Sequence, residues 1–554
     1  MGQSYIWIWL TFFYLFILAE PVYAEEQNTA AIAGDAPVPL FEDLGIYHRP
    51  ITTKSELAQR YFNQGFRLVY GFNHNEAIRA FKEVIRLDPN CAMGYWGVAL
   101  SLGPNINDRM PAERGKQAFE AIQQAITRAR YAGDHERAYI EALATRYVSD
   151  PEKADRKELD KAYAEAMRGL HQRYPHDLDA TTLFAASLMN VRPWDYWTPD
   201  SQPKDGTLEL VAALESVLER DPDHIGAIHY YIHAVEASAR PERALPYARR
   251  LAAQIPGSGH LVHMPSHIYN RVGLYEEAAE SNARAIEVDE AYIEKEQPQG
   301  IYPLVYYPHN IDFLWSARQM SGRSAEAIAA ARRLADRTTT EVARMVPPLE
   351  GWTAMPLCAL VRFGKWDDIL NEPQPPEDLV YMTAIWHYAR ALALTAKDRI
   401  EDAKKEQVKL EAIAKDIPED RMMMGRNVAA KLLSIASHVV AGELAAKQGQ
   451  TDQAINHLEA AVHVQDTLAY NEPPAWYYPV RQNLGAVLLA AGRSAEAEQV
   501  YRKDLEQYPD NGWSLYGLSQ SLRAQGKKKD AQATAGRFKK SWSKADVELT
   551  ASRF

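Results

Sequence analysis

The stretch GLYEEAAESNARAIEVD (residues 273–289) decides the fold. Gly273 is a turn residue, Tyr275 is bulky, and Ala278 and Ala285 are small residues on one face of an amphipathic helix. The same skeleton recurs along the chain. It appears in NEAIRAFKEVIRLDPN (75–90) with Ala77, Phe81 and Pro89, and in GRSAEAIAAARRLA (322–335) with Gly322 and Ala327. GQTDQAINHLEAAVHV (449–464) repeats it with Gly449, Ala454 and Ala461, and GRSAEAEQVYRKDLEQYPDN (492–511) with Gly492, Ala497 and Pro509. A last unit carries Gly526 and Ala531. Small residues at fixed offsets let two helices of a hairpin approach closely. Each hairpin then buries its apolar side only by stacking on the next.

These units resemble tetratricopeptide repeats. The resemblance implies an all-α solenoid of stacked antiparallel helix pairs in a right-handed superhelix. Beyond the generic repeat, the mature chain resembles a group of exported bacterial tetratricopeptide proteins. That likeness is carried by GPNIN (103–107), RPWDYW (192–197), HYYIHAVEAS (229–238), GHLVHMPSHIY (259–269), YYPHN (306–310) and EPPAWYYPVRQ (472–482). It implies the fold and export and brings no catalytic assignment. Repeat arrays serve many purposes, so function has to come from a site.

The first residues are apolar from Tyr5 to Ala19 and end in Val22-Tyr23-Ala24 before Glu25, the pattern of a cleaved signal peptide at 1–24. The stretch is too short for a comfortable membrane span, so the expectation is a periplasmic or secreted protein with no stable membrane insertion after cleavage. An N-terminal extension (25–50) precedes repeats at 51–190. Central repeats with two insertions follow at 191–345, and C-terminal repeats with a polar capping helix at 346–554. The insertions begin at Arg192 and at Glu294; long loops in such arrays are lids, ligand contacts or plugs. The net charge of −11, with no basic run, argues against nucleic acid. Cys91 and Cys358 are too far apart along a solenoid to bridge, so stability rests on packing.

One constellation points to chemistry. His229 and His233 are repeated 34 residues later as His263 and His267. An offset of one repeat places both pairs at the same height on neighbouring parallel helices. In repeat register they occupy the fifth and ninth positions of the first helix. Glu236 falls at the twelfth position, and His260 and His309 at the second. These positions form one stripe, which in such arrays faces the concave groove. Seven of the sixteen histidines lie between His224 and His309, and six of the seven are on this stripe.

Imidazole is the commonest ligand of zinc, copper, iron and nickel. The candidate metal ligands are therefore His229, His233, His263 and His267, then His260 and His309, with Glu236 as a carboxylate. The all-histidine set with Met264 nearby favours copper; zinc and iron are the alternatives. Tyr230, Tyr269, Tyr307, Asn310, Asn105, Asp195 and Arg192 are candidate ligand-binding residues around it, and turn capping explains the polar ones equally well. Pro265 interrupts the second helix, so the register of His263 does not follow from the repeat alone.

HYYIH is not the zincin HExxH, because Tyr230 stands where the catalytic Glu would be. No phosphate loop, GxSxG or CxxC occurs. Two readings follow. One is an exported metalloprotein, as an enzyme an oxidoreductase of a small substrate rather than a hydrolase. The other is a non-catalytic scaffold binding a peptide or protein partner in the concave groove.

Overall fold

The computed structural model describes residues 38–423 and 425–554; the leader read at 1–24 lies outside them. The described chain is all-α and of the tetratricopeptide type. Among the described residues the extended pairing is limited to two isolated bridges, Trp197–Pro203 and Met422–Val428. Contacts divide the chain into two compact units, 38–272 with 280–292 and 273–279 with 293–554.

The N-terminal unit stacks antiparallel pairs. Glu56–Tyr70 packs on His74–Leu87, Ala92–Leu102 on Ala112–Arg128, and Leu178–Val191 on Thr207–Leu218. Ile225–Val235 follows, packed on Leu245–Gln254, and then the broken helix Gly259–His263/Pro265–Arg271. Residues 38–50 have no regular structure, yet they are pinned. Arg49 pairs with Asp177 (3.2 Å) and Asp179 (2.5 Å), and the Tyr47 hydroxyl donates to Asp179.

The C-terminal unit repeats the hairpin with Tyr307–Met320 on Ser324–Arg337, Val380–Ala396 on Ile400–Asp416, and Ala429–Lys447 on Thr451–Asp466. Arg481–Ala490 on Ser494–Gln507 and Gly512–Ala524 on Lys528–Ser541 complete it. All five glycines read as turn residues (273, 322, 449, 492 and 526) have φ between 72° and 79°, the left-handed region that glycine enters without steric penalty. The small-residue logic is visible around Tyr501. A Cβ on Gly485 or Gly517 would stand 2.5 or 2.1 Å from its ring, an overpacking worth about 1–3 kcal/mol.

After Ser541 the chain is irregular rather than the expected capping helix. Its polar groups are used elsewhere: the Asp546 carboxylate accepts from the backbone N–H of Ser324 (2.6 Å) and Ala325 (2.9 Å), capping the helix that begins there. The Trp542 ring lies 5.3 Å from that of Trp513. The Glu294 insertion is also more regular than expected, with Tyr302–Tyr306 forming a π-helical turn that leads into Tyr307–Met320. Cys91 and Cys358 are buried free thiols.

Asp312 in this unit is 9 % exposed and accepts from the indole N–H groups of Trp315 (3.0 Å) and Trp352 (2.9 Å). Burial pushes its carboxyl up to about 6, with the two indole donors pulling the other way. A carboxyl held higher in the folded than in the unfolded chain stabilises the fold below its unfolded value. That contribution is lost as pH rises through the folded value. Asp312→Asn therefore gains stability relative to the wild type between pH 4 and 7, by about 3 kcal/mol from the ~2-unit difference. The fixed loss of one indole partner cancels when urea unfolding is compared at the two pH values. A pH-independent difference would refute the assignment.

Candidate metal centre

The Ile225–Val235 helix carries His229 and His233, and Glu236 follows at its C-cap. The next repeat supplies His260 and His263 before Pro265, and His267 after it. Pro265 does interrupt the helix, but gently. Met264 keeps helical angles (φ −51°, ψ −37°), its N–H still reaches the His260 carbonyl (3.1 Å), and Pro265 opens the second segment, where no N–H is needed. His263 and His267 thus stay on one face despite the break.

Of the two pairings in the 34-residue echo, His233 meets His267, whereas His229 meets His260 rather than His263. The imidazole centroids of His229 and His260 are 4.9 Å apart, those of His233 and His267 5.3 Å, and those of His263 and His267 4.8 Å. The ligating atoms of His229, His233 and His260 lie within 4.8 Å of one another, as do those of His233, Glu236 and His267. The expectation of an open groove is corrected. His229, His263 and Glu236 have no exposure, and His233, His260 and His267 have 1–2 %. Phe72 after the Tyr70 turn, Trp194 of the 192–206 loop and Asn282 of the 280–292 helix segment lie against the stripe.

Each of four Nδ1 atoms meets an acceptor. His229 Nδ1 is 2.6 Å from the Tyr70 carbonyl, and His263 Nδ1 is 2.6 Å from Asn282 Oδ1. His233 and His267 share the carboxylate of Glu236, at 2.8 Å to Oε1 and 2.6 Å to Oε2. Acceptors fix the proton on Nδ1, so in the neutral rings Nε2 is a bare lone pair. These lone pairs point inward. His263 and His267 bring Nε2 to Nε2 at 2.9 Å, His229 and His260 at 3.2 Å, and His233 Nε2 is buried without a partner. Between the His263 and His267 lone pairs only a proton or a cation can sit at such a distance. Nitrogens ~2.0–2.1 Å from one ion stand ~3.3 Å apart in a tetrahedral set and ~2.9 Å apart at right angles. The observed spacings fall at these values.

Electrostatics agree. Burial pushes the His233 and His229 imidazoles below their ordinary range, with Glu236 opposing this, so both stay neutral and ready to donate a lone pair. Burial alone would raise the Glu236 carboxyl. The interaction with His267 and the hydrogen bonds from His233 and His267 outweigh it and hold the group ionised, well below the usual carboxylate range. Because both its oxygens accept from Nδ1 atoms, Glu236 stands behind the imidazoles and orients them.

The walls are aromatic. Phe72 sits in the left-handed region (φ 55°), where Gly273, Gly322 and Gly449 stand at other turns, a strain of about 1 kcal/mol or more. Its ring lies 4.5 Å from His229 and 5.6 Å from His260. Tyr230 is buried, 5.8 Å from Phe72. Trp194 of RPWDYW packs 4.9 Å from His233 and donates to Asn107 of GPNIN (3.0 Å). Trp197 donates to the Ala234 carbonyl (2.7 Å), tying the 192–206 loop to the histidine helix.

Other predicted residues serve their own segments. Asn105 accepts from the backbone N–H of Asn107 and Asp108, closing a turn. Asp195 pairs with Lys204 (2.5 Å), and Arg192 reaches Asp195 at 3.6 Å. Tyr269 is half-buried on the Pro265–Arg271 helix. His309, Tyr307 and Asn310 belong to the C-terminal unit. There His309 is half-buried 4.9 Å from Phe313, Tyr307 lies under the Arg337 guanidinium, and Asn310 is fully buried. Three contributors have no signature in the histidine pattern: Asn282, Phe72 and the Tyr70 carbonyl. Asn282 alone left a trace, as a polar residue on a small-residue helix face. Tyr70 is itself fixed by its hydroxyl, which donates to Asp179 (2.5 Å).

No protein-family model and no curated protein matches the chain. Among solved structures it is similar to the human IFIT1 dimer with PPP-AAAA, at 11% identity over 88% of this chain and 92% of that one, with a TM-score of 0.32. It is also similar to the APC/C hetero-tetramer Cut9–Hcn1, at 12% identity over 94% of this chain and 81% of that one, with a TM-score of 0.32. Neither likeness bears on the histidine cluster.

Proposed function

We propose that this protein is an exported metalloprotein that holds a transition metal on the imidazoles of His229, His233, His260, His263 and His267. One observation carries the reading: four Nδ1 atoms are committed to acceptors while their Nε2 lone pairs converge in a dry interior. An all-nitrogen set with a carboxylate behind it suits copper(II) first, the divalent ion of highest affinity for such donors, and zinc second. The donor set supplies no general base beside a bound water, because Glu236 is occupied by two imidazoles. That favours electron-transfer or oxidation chemistry over hydrolysis.

The test uses the mature chain beginning at Glu25, purified metal-free and titrated calorimetrically with Cu²⁺ and with Zn²⁺. Saturable binding of at least one ion per chain, below micromolar Kd and with proton release near neutral pH, is expected. Absence of stoichiometric binding of either ion overturns the proposal. In that case the ¹⁵N shifts of the imidazoles would show a shared proton between His263 and His267.

A further inference from the structure

The C-terminal unit contains a cavity of about 520 Å³, within the range of small-molecule sites. Val361, Leu392, Val487 and Ala490 give it apolar walls, and Arg362 and Asn483 reach its surface. Arg362 is the anomaly. It is 5 % exposed, and its Nε and Nη2 are sealed from solvent with no hydrogen-bond partner. Its guanidinium lies 3.6 Å over the Trp513 ring and 5.3 Å over that of Tyr478. Stacking on aromatic faces offsets only part of the loss of hydration of a buried cation.

The other charges at the cavity are already balanced. Glu443 accepts from Asn483 (2.6 Å) and pairs with Arg553, and Lys447 pairs with Asp398 (2.9 Å). Asp504, the acid nearest in charge effect, spends one oxygen on Ser514 and Asn511. Burial lowers the Arg362 guanidinium to about 9, which still leaves it cationic at neutral pH. The guanidinium therefore brings a positive charge, with two unpartnered nitrogens, to a chamber whose other charged groups are paired.

We propose that this cavity binds an organic monocarboxylate with an apolar body, its carboxylate neutralising Arg362 and its hydrocarbon lying along Val361, Leu392 and Val487. A single cation matches a single negative charge. A phosphate dianion would bring a surplus charge into apolar walls, and a guanidinium stacked flat on Trp513 presents its edge to a planar carboxylate.

The experiment titrates the full chain with octanoate, with 1-octanol and with inorganic phosphate, read by tryptophan fluorescence and calorimetry. Octanoate is expected to bind saturably, one per chain and at least tenfold tighter than octanol, with no binding of phosphate. Arg362→Met should lose at least tenfold of the octanoate affinity while unfolding at the same or a higher temperature, because it removes an unpaired buried charge. Ala490→Trp, at an exposed lining position, should block octanoate without touching the guanidinium. Equal binding of octanoate and octanol, binding of phosphate alone, no saturable octanoate binding, or full octanoate affinity in either folded variant would overturn the proposal.

Discussion

A His229→Ala/His263→Ala double variant should lose metal affinity by more than the ~100-fold that follows from losing an outer partner of a ligand. Each substitution removes one member of an Nε2–Nε2 pair, at 3.2 Å with His260 and at 2.9 Å with His267. The remaining imidazoles keep their Nδ1 acceptors, since His233 and His267 still share Glu236. The helix pair should therefore hold its shape, and circular dichroism should show unchanged helicity. Calorimetric titration with Cu²⁺ reads the affinity. Wild-type affinity and stoichiometry in the folded variant would rule out these two residues as ligands.

Glu236→Leu should destabilise the N-terminal unit by about 3–5 kcal/mol, the usual result of removing one partner from a buried charged hydrogen-bonded set. The carboxylate has no exposure and accepts from two imidazoles. Leucine fills similar space but leaves two N–H donors in a dry interior, each worth about 1–3 kcal/mol unsatisfied. Glu236→Gln keeps one acceptor and should lose roughly half as much. It should also weaken metal binding by about 10–100-fold, because the second imidazole is free to take the wrong tautomer. Urea unfolding at constant slope measures the first effect. Wild-type stability in Glu236→Leu would mean that the histidines hold their own orientation.

Much of this was legible in the sequence where geometry leaves no choice. Gly322 and Gly492 announce turns because their left-handed backbone angles disfavour side chains. The meeting of His233 with His267 was legible because the repeat length converts sequence offset into spatial register. Periodicity stops there: it says which face a residue occupies and nothing about which remote segment docks on that face. The Tyr70 carbonyl lies 159 residues from His229, and a backbone oxygen has no residue identity to read. For the same reason the stripe read as an open groove is a sealed interior. Phe72 and Trp194, from outside the histidine repeats, and Asn282, from the second helix of the His263/His267 repeat, lie against it. The tail after Ser541 was misread as a helix because its capping of Ser324–Arg337 crosses 222 residues.

The closure made by Trp194 and Trp197 sets a clock as well as a wall. The indole of Trp197 bound to the Ala234 carbonyl and Asp195 held to Lys204 keep the 192–206 loop folded, with Trp194 against His233. On the proposed reading, exchange of a bound ion would follow the lifetime of the closed loop as well as coordination strength. A metal centre closed in this way would be filled as the chain folds and would afterwards give up its ion slowly.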